Sequence, residues 1–387
     1  MNHQLINTIT SEFVKIHGTT PIIINSPGRI NIIGEHTDYN EGFVFPAAID
    51  KGIYTAIEKS NTDFCTAIAL DINESYEFTL ENLKPIKNGG WRNYIVGVVA
   101  ELQKQGKKTK PFNLVFGGDI PAGSGLSSSA ALENSIVFGL NEVFNLELTK
   151  SEMILISQKA EHNFAGVRCG IMDQYASMFG IKEHALLLDC RTQKATPFHI
   201  DFKEYQIVLI NTNVKHNLAE NAYNDRRNVC EKVASLLNIT ALRDANEENL
   251  NSIKKNLTEE EFQKALYIIQ ENKRTLEASK KMKNEDILGL GKLLFESHNG
   301  LQHQYKVSCP ELDFLVEKAK ESSVVIGSRM MGGGFGGCTI NIVKKNNYKA
   351  YLENIKIAYK KEFNKECTFH FVEISNGTHR LQNVLKH

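Results

Sequence analysis

The stretch Pro121–Ala131, Pro-Ala-Gly-Ser-Gly-Leu-Ser-Ser-Ser-Ala-Ala, constrains this chain more than any other. It follows an alternating apolar run, Phe112 to Ile120, and precedes a helical run, Leu132 to Phe144. A strand, a small-residue loop and a helix in that order aim free backbone N–H groups and a helix dipole at one point. Such a point binds anions. The glycines permit close backbone approach, and the serines can cap the helix or ligate a metal. A flexible linker shares this composition, but a linker does not run into an apolar helix after so few residues. The stretch reads as a phosphate cradle.

With 387 residues the chain is long for one core, so two domains are expected. Composition shifts after about Asp189, and a boundary near residue 195 divides the chain into 1–195 and 196–387. Acidic and basic residues balance to a net charge of zero, which argues against a nucleic-acid partner. Seven scattered cysteines with no close pair indicate reduced thiols rather than a zinc knuckle or a disulfide framework. Met1 to His17 lacks the basic head and apolar centre of a signal peptide. No apolar run is long enough to span a membrane. The expectation is a soluble, cytoplasmic protein, with monomer as the default because no coiled coil is visible.

Residues 4–17 have helical spacing, and Ile22-Ile23-Ile24 form a strand ending at Ser26-Pro27-Gly28. The run Gly28-Arg29-Ile30-Asn31-Ile32-Ile33-Gly34-Glu35-His36-Thr37-Asp38-Tyr39 sets Arg29 and Asn31 among isoleucines and ends in a knot of Glu, His and Asp. A surface turn with incidental charges is the plain reading. Three buried-type isoleucines beside those charges favour a polar pocket. Strands are expected over 43–59 and 64–80, in a mostly antiparallel sheet. Helices follow over 93–105, 132–144 and 151–164, the last opening on a Thr149–Glu152 capping box. Trp91, the single tryptophan, is by chemistry alone more often packing than a ligand platform. Asp173 lies in a stretch apolar enough to bury it, and a buried carboxylate needs a partner or a proton. A structural Asp capping a helix is equally compatible with that position.

Further on, a strand over 206–211 precedes a helix that ends near Leu237. From Glu247 to Lys283 charge is dense, and the apolar stripe Phe262, Leu266 and Ile269 suggests a solvated amphipathic helix, not a binding patch. Another helix is expected over 286–305. Gly332 to Gly337 holds five glycines in six residues. By letter it matches a dinucleotide fingerprint, but a strand follows where that fingerprint requires a helix. It reads as a sheet bulge or as a second wall of the anion site.

A Walker A sequence, the protein-kinase signatures, a Gly-x-Ser-x-Gly elbow and a His-Glu-x-x-His helix are all missing. The remaining parts are a glycine- and serine-lined anion site, a second glycine loop, and Arg, Glu, His and Asp side chains suited to a polyol. Together they suggest phosphoryl transfer to a small hydroxylated acceptor.

Three stretches, Gly28–Tyr39, Pro121–Ala131 and Gly332–Gly337, resemble in order the three motifs of the GHMP small-molecule kinases. Gly-Arg-Ile-Asn-Ile-Ile-Gly-Glu-His-Thr-Asp-Tyr is similar to the signature of the galactokinase branch. Gly90-Trp91, Ala160-Glu161-His162, Cys169–Gln174 and Ser308–Asp313 extend the likeness over nearly the whole chain, most weakly at 240–290 and in the last thirty residues. The resemblance implies a two-domain α+β architecture, with a ribosomal-S5-like N-terminal domain, a ferredoxin-like C-terminal domain and the active site in the cleft between them. It implies ATP and Mg²⁺ as cofactors and galactose as the sugar phosphorylated on its anomeric hydroxyl.

By motif position, Glu35, His36, Asp38, Gly170, Asp173 and Tyr223 would contact the sugar. Asp173 would be the base, with Arg29 paired to it and to the transferring phosphoryl group. Gly123, Ser124, Gly125, Leu126, Ser127, Ser128 and Ser129 would hold the phosphates, with Trp91 beside adenine. Ser129 and Glu161 would bind the metal. Two alternatives remain: a kinase for N-acetylgalactosamine or a related sugar, and a non-catalytic regulator that binds galactose and ATP. Transducers of that kind lack part of the serine loop, whereas Ser127-Ser128-Ser129-Ala130 is intact here.

Overall fold

The computed structural model describes residues 2–121, 123–215 and 219–382. The first half comprises α1 (His3–His17), β1 (Ile22–Asn31), β2 (Phe43–Val44), β3 (Pro46–Lys59), β4 (Cys65–Ala69), β5 (Glu74–Phe78), α2 (Trp91–Lys104) and β6 (Phe112–Gly118). It continues through α3 (Ser128–Phe144), α4 (Lys150–Ala160), α5 (Met172–Phe179), β7 (His184–Asp189) and β8 (Lys194–His199). Then come β9 (Tyr205–Lys215), α6 (Ala219–Leu236), α7 (Glu247–Ser252), α8 (Glu259–Lys283), α9 (Ile287–Asn299) and α10 (Pro310–Lys320). The chain closes with β10 (Val325–Met330), β11 (Gly336–Lys344), α11 (Tyr348–Phe363), β12 (Thr368–Phe371) and β13 (His379–Arg380).

A six-stranded sheet in the order β13-β1-β3-β6-β4-β5 carries the first half, and a four-stranded sheet in the order β10-β11-β9-β12 carries the second. A small third sheet pairs β2, from between β1 and β3, with β7 and β8. Pairing is antiparallel except between β4 and β6, which run parallel. Helices α2 to α5 bury one face of the larger sheet in a continuous apolar core. The seam between the halves is also apolar: Ile30, Ile32 and Phe45 meet Leu126, Met331 and Ile340. Strand β13, from the far end of the chain, returns to pair with β1.

Several elements differ from the sequence expectation for identifiable reasons. Strand β1 does not stop at Gly28. A register shift opposite β3 between Pro27 and Arg29 absorbs the proline, which has no N–H to donate, and pairing resumes through Asn31. Helix α3 begins at Ser128, not Leu132, so the serines form its first turn. The expected 64–80 strand is broken by a 3₁₀ turn at Leu70–Ile72. The helix expected over 151–164 is α4 followed by a π-turn, Glu161–Ala165, and α9 runs into a second π-turn, Gly300–Tyr305. Such turns recur near functional sites. The expected Thr149–Glu152 capping box is present, and others open α7 at Asn246–Asn249 and α8 at Thr258–Glu261.

Candidate active site

Arg29 emerges from the bulge of β1 almost fully buried, and its guanidinium grips Asp173 with two parallel bonds. Nε donates to Oδ1 at 2.8 Å and Nη2 to Oδ2 at 3.0 Å. Nη1 donates to the Gly125 carbonyl at 2.6 Å, and the Arg29 N–H donates to the Leu126 carbonyl at 3.1 Å. A single side chain therefore fastens the carboxylate to the loop from Gly123 to Ser129. Asp173 sits in the first turn of α5 with its side chain 27% exposed. It is not the fully buried group expected from its apolar surroundings: the adjacent pocket opens its carboxylate to solvent. Ser127 supplies the third donor, at 2.5 Å to Oδ2, from a left-handed backbone conformation (φ 61°) that few non-glycine residues adopt.

Arg29, Glu35, His36, Asp38, Asp173 and Tyr223 line one pocket, closed on one side by Gly332 and Gly333. Gly170 abuts it. A Cβ there would lie 2.1 Å from the Asp38 carboxylate, so only glycine fits. Burial, then the charge of Asp173, pushes the Asp38 carboxyl up to about 7. Burial, then Arg226, pulls His36 down to about 3 and keeps it neutral. Its Nδ1 lies 2.8 Å from the Tyr39 hydroxyl, which in turn bonds the Tyr305 hydroxyl at 2.7 Å.

Glu35, like Asp173, accepts three hydrogen bonds. Its Oε1 accepts from Arg329 Nη1 at 3.0 Å and from the Gly332 N–H at 2.8 Å, and its Oε2 accepts from Asn31 Nδ2 at 3.0 Å. Arg329, on β10, is the largest fully buried side chain among the described residues. It also donates to the carbonyls of Asn31, Ile32 and Met330. Sequence reasoning missed it. The available signal was the one that flagged Arg29: a lone arginine in an apolar strand beside a glycine loop.

Across Asp173 lies the glycine- and serine-rich loop from Gly123 to Ser129. Gly125 (φ 72°) packs against Gly332 and the Met331 carbonyl, so the second glycine loop backs the first. Among the seven loop residues proposed for phosphate binding, Gly123, Gly125 and Ser128 are exposed and Ser127 and Ser129 partly so. Ser124 is buried, with its hydroxyl donated to the Pro121 carbonyl at 2.7 Å, and the Leu126 side chain lies in the seam core. These two residues offer backbone, not side chain, to a ligand. Beyond the first turn of α3, a second pocket is lined by Trp91, Tyr94, Phe116, Leu132, Ser128 and Ser129. Trp91 Nε1 donates to Glu74 at 2.8 Å, which orients its ring at this pocket's wall.

Glu161 stands between the two pockets. Burial, then Asp173, pushes its carboxyl up to about 7, and the Ser129 hydroxyl and Gln174 Nε2 bond to it, the latter at 2.8 Å. Among the described residues no cluster of three or more His, Cys, Asp or Glu side chains is placed to hold a metal.

Three family models match the chain: the GHMP kinases N terminal domain over 93–181, the galactokinase galactose-binding signature over 11–59, and the GHMP kinases C terminal region over 276–361. A galactokinase of Clostridium beijerinckii is 40% identical over 385 residues, covering 97% of this chain and 99% of its own. The chain belongs to the galactokinase family. A second member, from Thermotoga petrophila, is 39% identical over 358 residues, covering 92% of this chain and 99% of its own. The crystal structure of Lactococcus lactis galactokinase complexed with galactose superposes with a TM-score of 0.92 at 33% identity, covering 97% of this chain and 100% of that one. Methanococcus jannaschii mevalonate kinase, at 18% identity and a TM-score of 0.66, shares the fold. The α+β GHMP architecture expected from the motifs is thus the observed one, and the chain is a sugar kinase of this family.

Proposed function

We propose that this galactokinase-family chain transfers the γ-phosphoryl group of ATP to the anomeric hydroxyl of α-D-galactose, giving galactose 1-phosphate and ADP. The observation that carries the reading is the Asp173 carboxylate, held bidentately by Arg29 between a polar pocket suited to a polyol and a glycine- and serine-rich loop suited to phosphate. Asp173 Oδ2 already accepts two hydrogen bonds and Oδ1 one. Oδ1 therefore retains a lone pair for the anomeric O–H. That proton passes to Oδ1 as the sugar oxygen bonds to the γ-phosphorus and the bond to the β-phosphate oxygen breaks. Arg29 orients the Asp173 carboxylate through its two hydrogen bonds and offsets charge developing on the phosphoryl oxygens. Glu35 and Asp38 are acceptors for sugar hydroxyls, and Tyr223 and Gly170 shape the same pocket. Trp91 would flank adenine, and the first-turn N–H groups of α3 would cradle the phosphates.

The donors around Glu161 suit Mg²⁺. A hydroxyl and one carboxylate are hard oxygen ligands, and this ion is commonly held by one or two carboxylates plus substrate phosphates. Ser129 and Glu161 would hold it, and when bound it supplies positive charge beside the transferring phosphoryl group. The raised Glu161 carboxyl, buried beside another carboxylate, is the kind of group a cation stabilises in its ionised form. The intact serine loop and the Arg29–Asp173 pair favour an enzyme over a transducer, and the chain is proposed to act as a monomer in the cytoplasm. Product analysis tests the reading. Phosphorus NMR should show a phosphate on the anomeric carbon, and phosphate on any other carbon would contradict it.

The raised carboxyl of Asp38 gives a pH dependence. In the free protein it is protonated below about 7, whereas an acceptor for sugar hydroxyls works best ionised. Galactose binding without nucleotide should therefore weaken as pH falls from 8 to 6, by up to about tenfold per unit below 7. Calorimetry should show proton release on binding in that window. Affinity that is flat across this range would contradict the role of Asp38.

A further inference from the structure

Helix α8 was expected to be a solvated amphipathic helix, yet one of its faces is buried and polar. Tyr267, Glu271 and Thr275, each four residues after the last, share that face, with Asn272 beside them. All four are buried against the turn that carries the sugar-binding motif. The Tyr267 hydroxyl donates to the Glu35 carbonyl at 3.1 Å. Glu271 Oε1 accepts from the Gly34 N–H at 3.1 Å and from the Ser297 hydroxyl at 2.6 Å, and its Oε2 accepts from Arg274 Nε at 2.7 Å. Asn272 Oδ1 accepts from the Phe43 N–H at 2.9 Å, where the turn rejoins the sheet.

The fit is close from the other side as well. Gly34 has φ +102°, and a Cβ there would lie 2.9 Å from the Thr275 hydroxyl. One on Gly42 would lie 2.2 Å from Asn272 Oδ1. The three matched family stretches, 11–59, 93–181 and 276–361, do not include residues 267–275.

We propose that this face of α8 is the template that sets the conformation of the Gly34–Asp38 turn, with Glu271 as its positioning residue. Glu271 touches neither pocket. It acts through the Gly34 N–H, one residue before Glu35 and four before Asp38. A fully buried carboxylate with three donors is costly to misplace, because each unmade bond leaves a desolvated group behind. The turn is therefore held in one arrangement before sugar arrives, so that binding does not have to order it. The inference rests on the galactose-kinase reading, because it predicts an effect on the sugar side alone.

The test is steady-state kinetics of the full-length chain with both substrates varied. Glu271→Gln keeps the shape but replaces an acceptor facing Arg274 with a donor. It should raise the KM for galactose by about tenfold or more, the fold-change corresponding to a charged hydrogen bond. The KM for ATP and kcat should stay within about twofold. Tyr267→Phe removes a single hydroxyl and conserves volume. It should raise the galactose KM about threefold with the same selectivity, and it decides the matter alone should Glu271→Gln fail to fold. Equal rises in both KM values, or an unchanged galactose KM in folded variants, would overturn the proposal. Absence of galactose turnover in the wild-type chain would overturn the functional reading together with it.

Discussion

Asp173→Asn is expected to lower kcat by about 10²–10⁴-fold, the usual contribution of a positioned general base, while galactose and ATP still bind within a few-fold of wild type. The substitution preserves volume and leaves the pocket walls intact. It also removes one of the two acceptor oxygens that Arg29 grips at 2.8 and 3.0 Å. An amide cannot take the anomeric proton, and its NH₂ group meets a guanidinium or a Ser127 hydroxyl that now lacks an acceptor. Arg29 remains tied to the Gly125 carbonyl, so the phosphate loop keeps its support and nucleotide affinity is spared. Single-turnover kinetics and calorimetry on the same preparation separate the two effects. Near-normal turnover would mean that positioning carries the reaction through a loose transition state, with no base required.

Arg329→Met should cost about 3–5 kcal/mol of stability, because it leaves the Glu35 carboxylate buried with its charge unpaired. The carbonyls of Asn31 and Ile32 lose a donor in the same step, and all of these groups lie on the seam between the halves. Methionine keeps most of the hydrocarbon volume, so a cavity is not the cause. The loss is measured as a fall in urea midpoint, with galactose binding lost alongside it. Adding Glu35→Gln to Arg329→Met should recover much of the midpoint, since removing both charges leaves no buried charge unpaired. An unfolding free energy within about 1 kcal/mol of wild type for the single variant would contradict the role given to Arg329.

Sequence and structure agree best where chemistry and local backbone coincide. Gly28–Tyr39 reads as polar groups on an apolar strand because Arg29 and Asn31 are anomalous among isoleucines, and the fold gathers Arg29, Glu35, His36 and Asp38 in one pocket, with Asn31 bonded to Glu35 behind it. Pro121–Ala131 reads as an anion loop because strand, glycines and helix are adjacent in sequence. What periodicity could not show is which distant element completes each group. Arg329 reaches Glu35 across 294 residues of chain, and Glu271 reaches Gly34 across 237. In α8 the stripe Phe262, Leu266 and Ile269 gave a sound helix, but the density of surface charge concealed a buried carboxylate on the same element. Charge counted along a sequence cannot tell a solvated face from a buried one, because that distinction depends on the partner. The extent of β1 was misjudged for a related reason: a proline ends a strand unless the opposite strand allows a bulge.

The most direct measurement is ADP release, coupled to an optical readout, with galactose, N-acetylgalactosamine, glucose and arabinose offered separately at equal concentration. The pocket bounded by Glu35, His36, Asp38 and Tyr223 predicts Mg²⁺-dependent turnover with the highest kcat/KM on galactose. Turnover that prefers another of these sugars, or turnover on none of them, would contradict it.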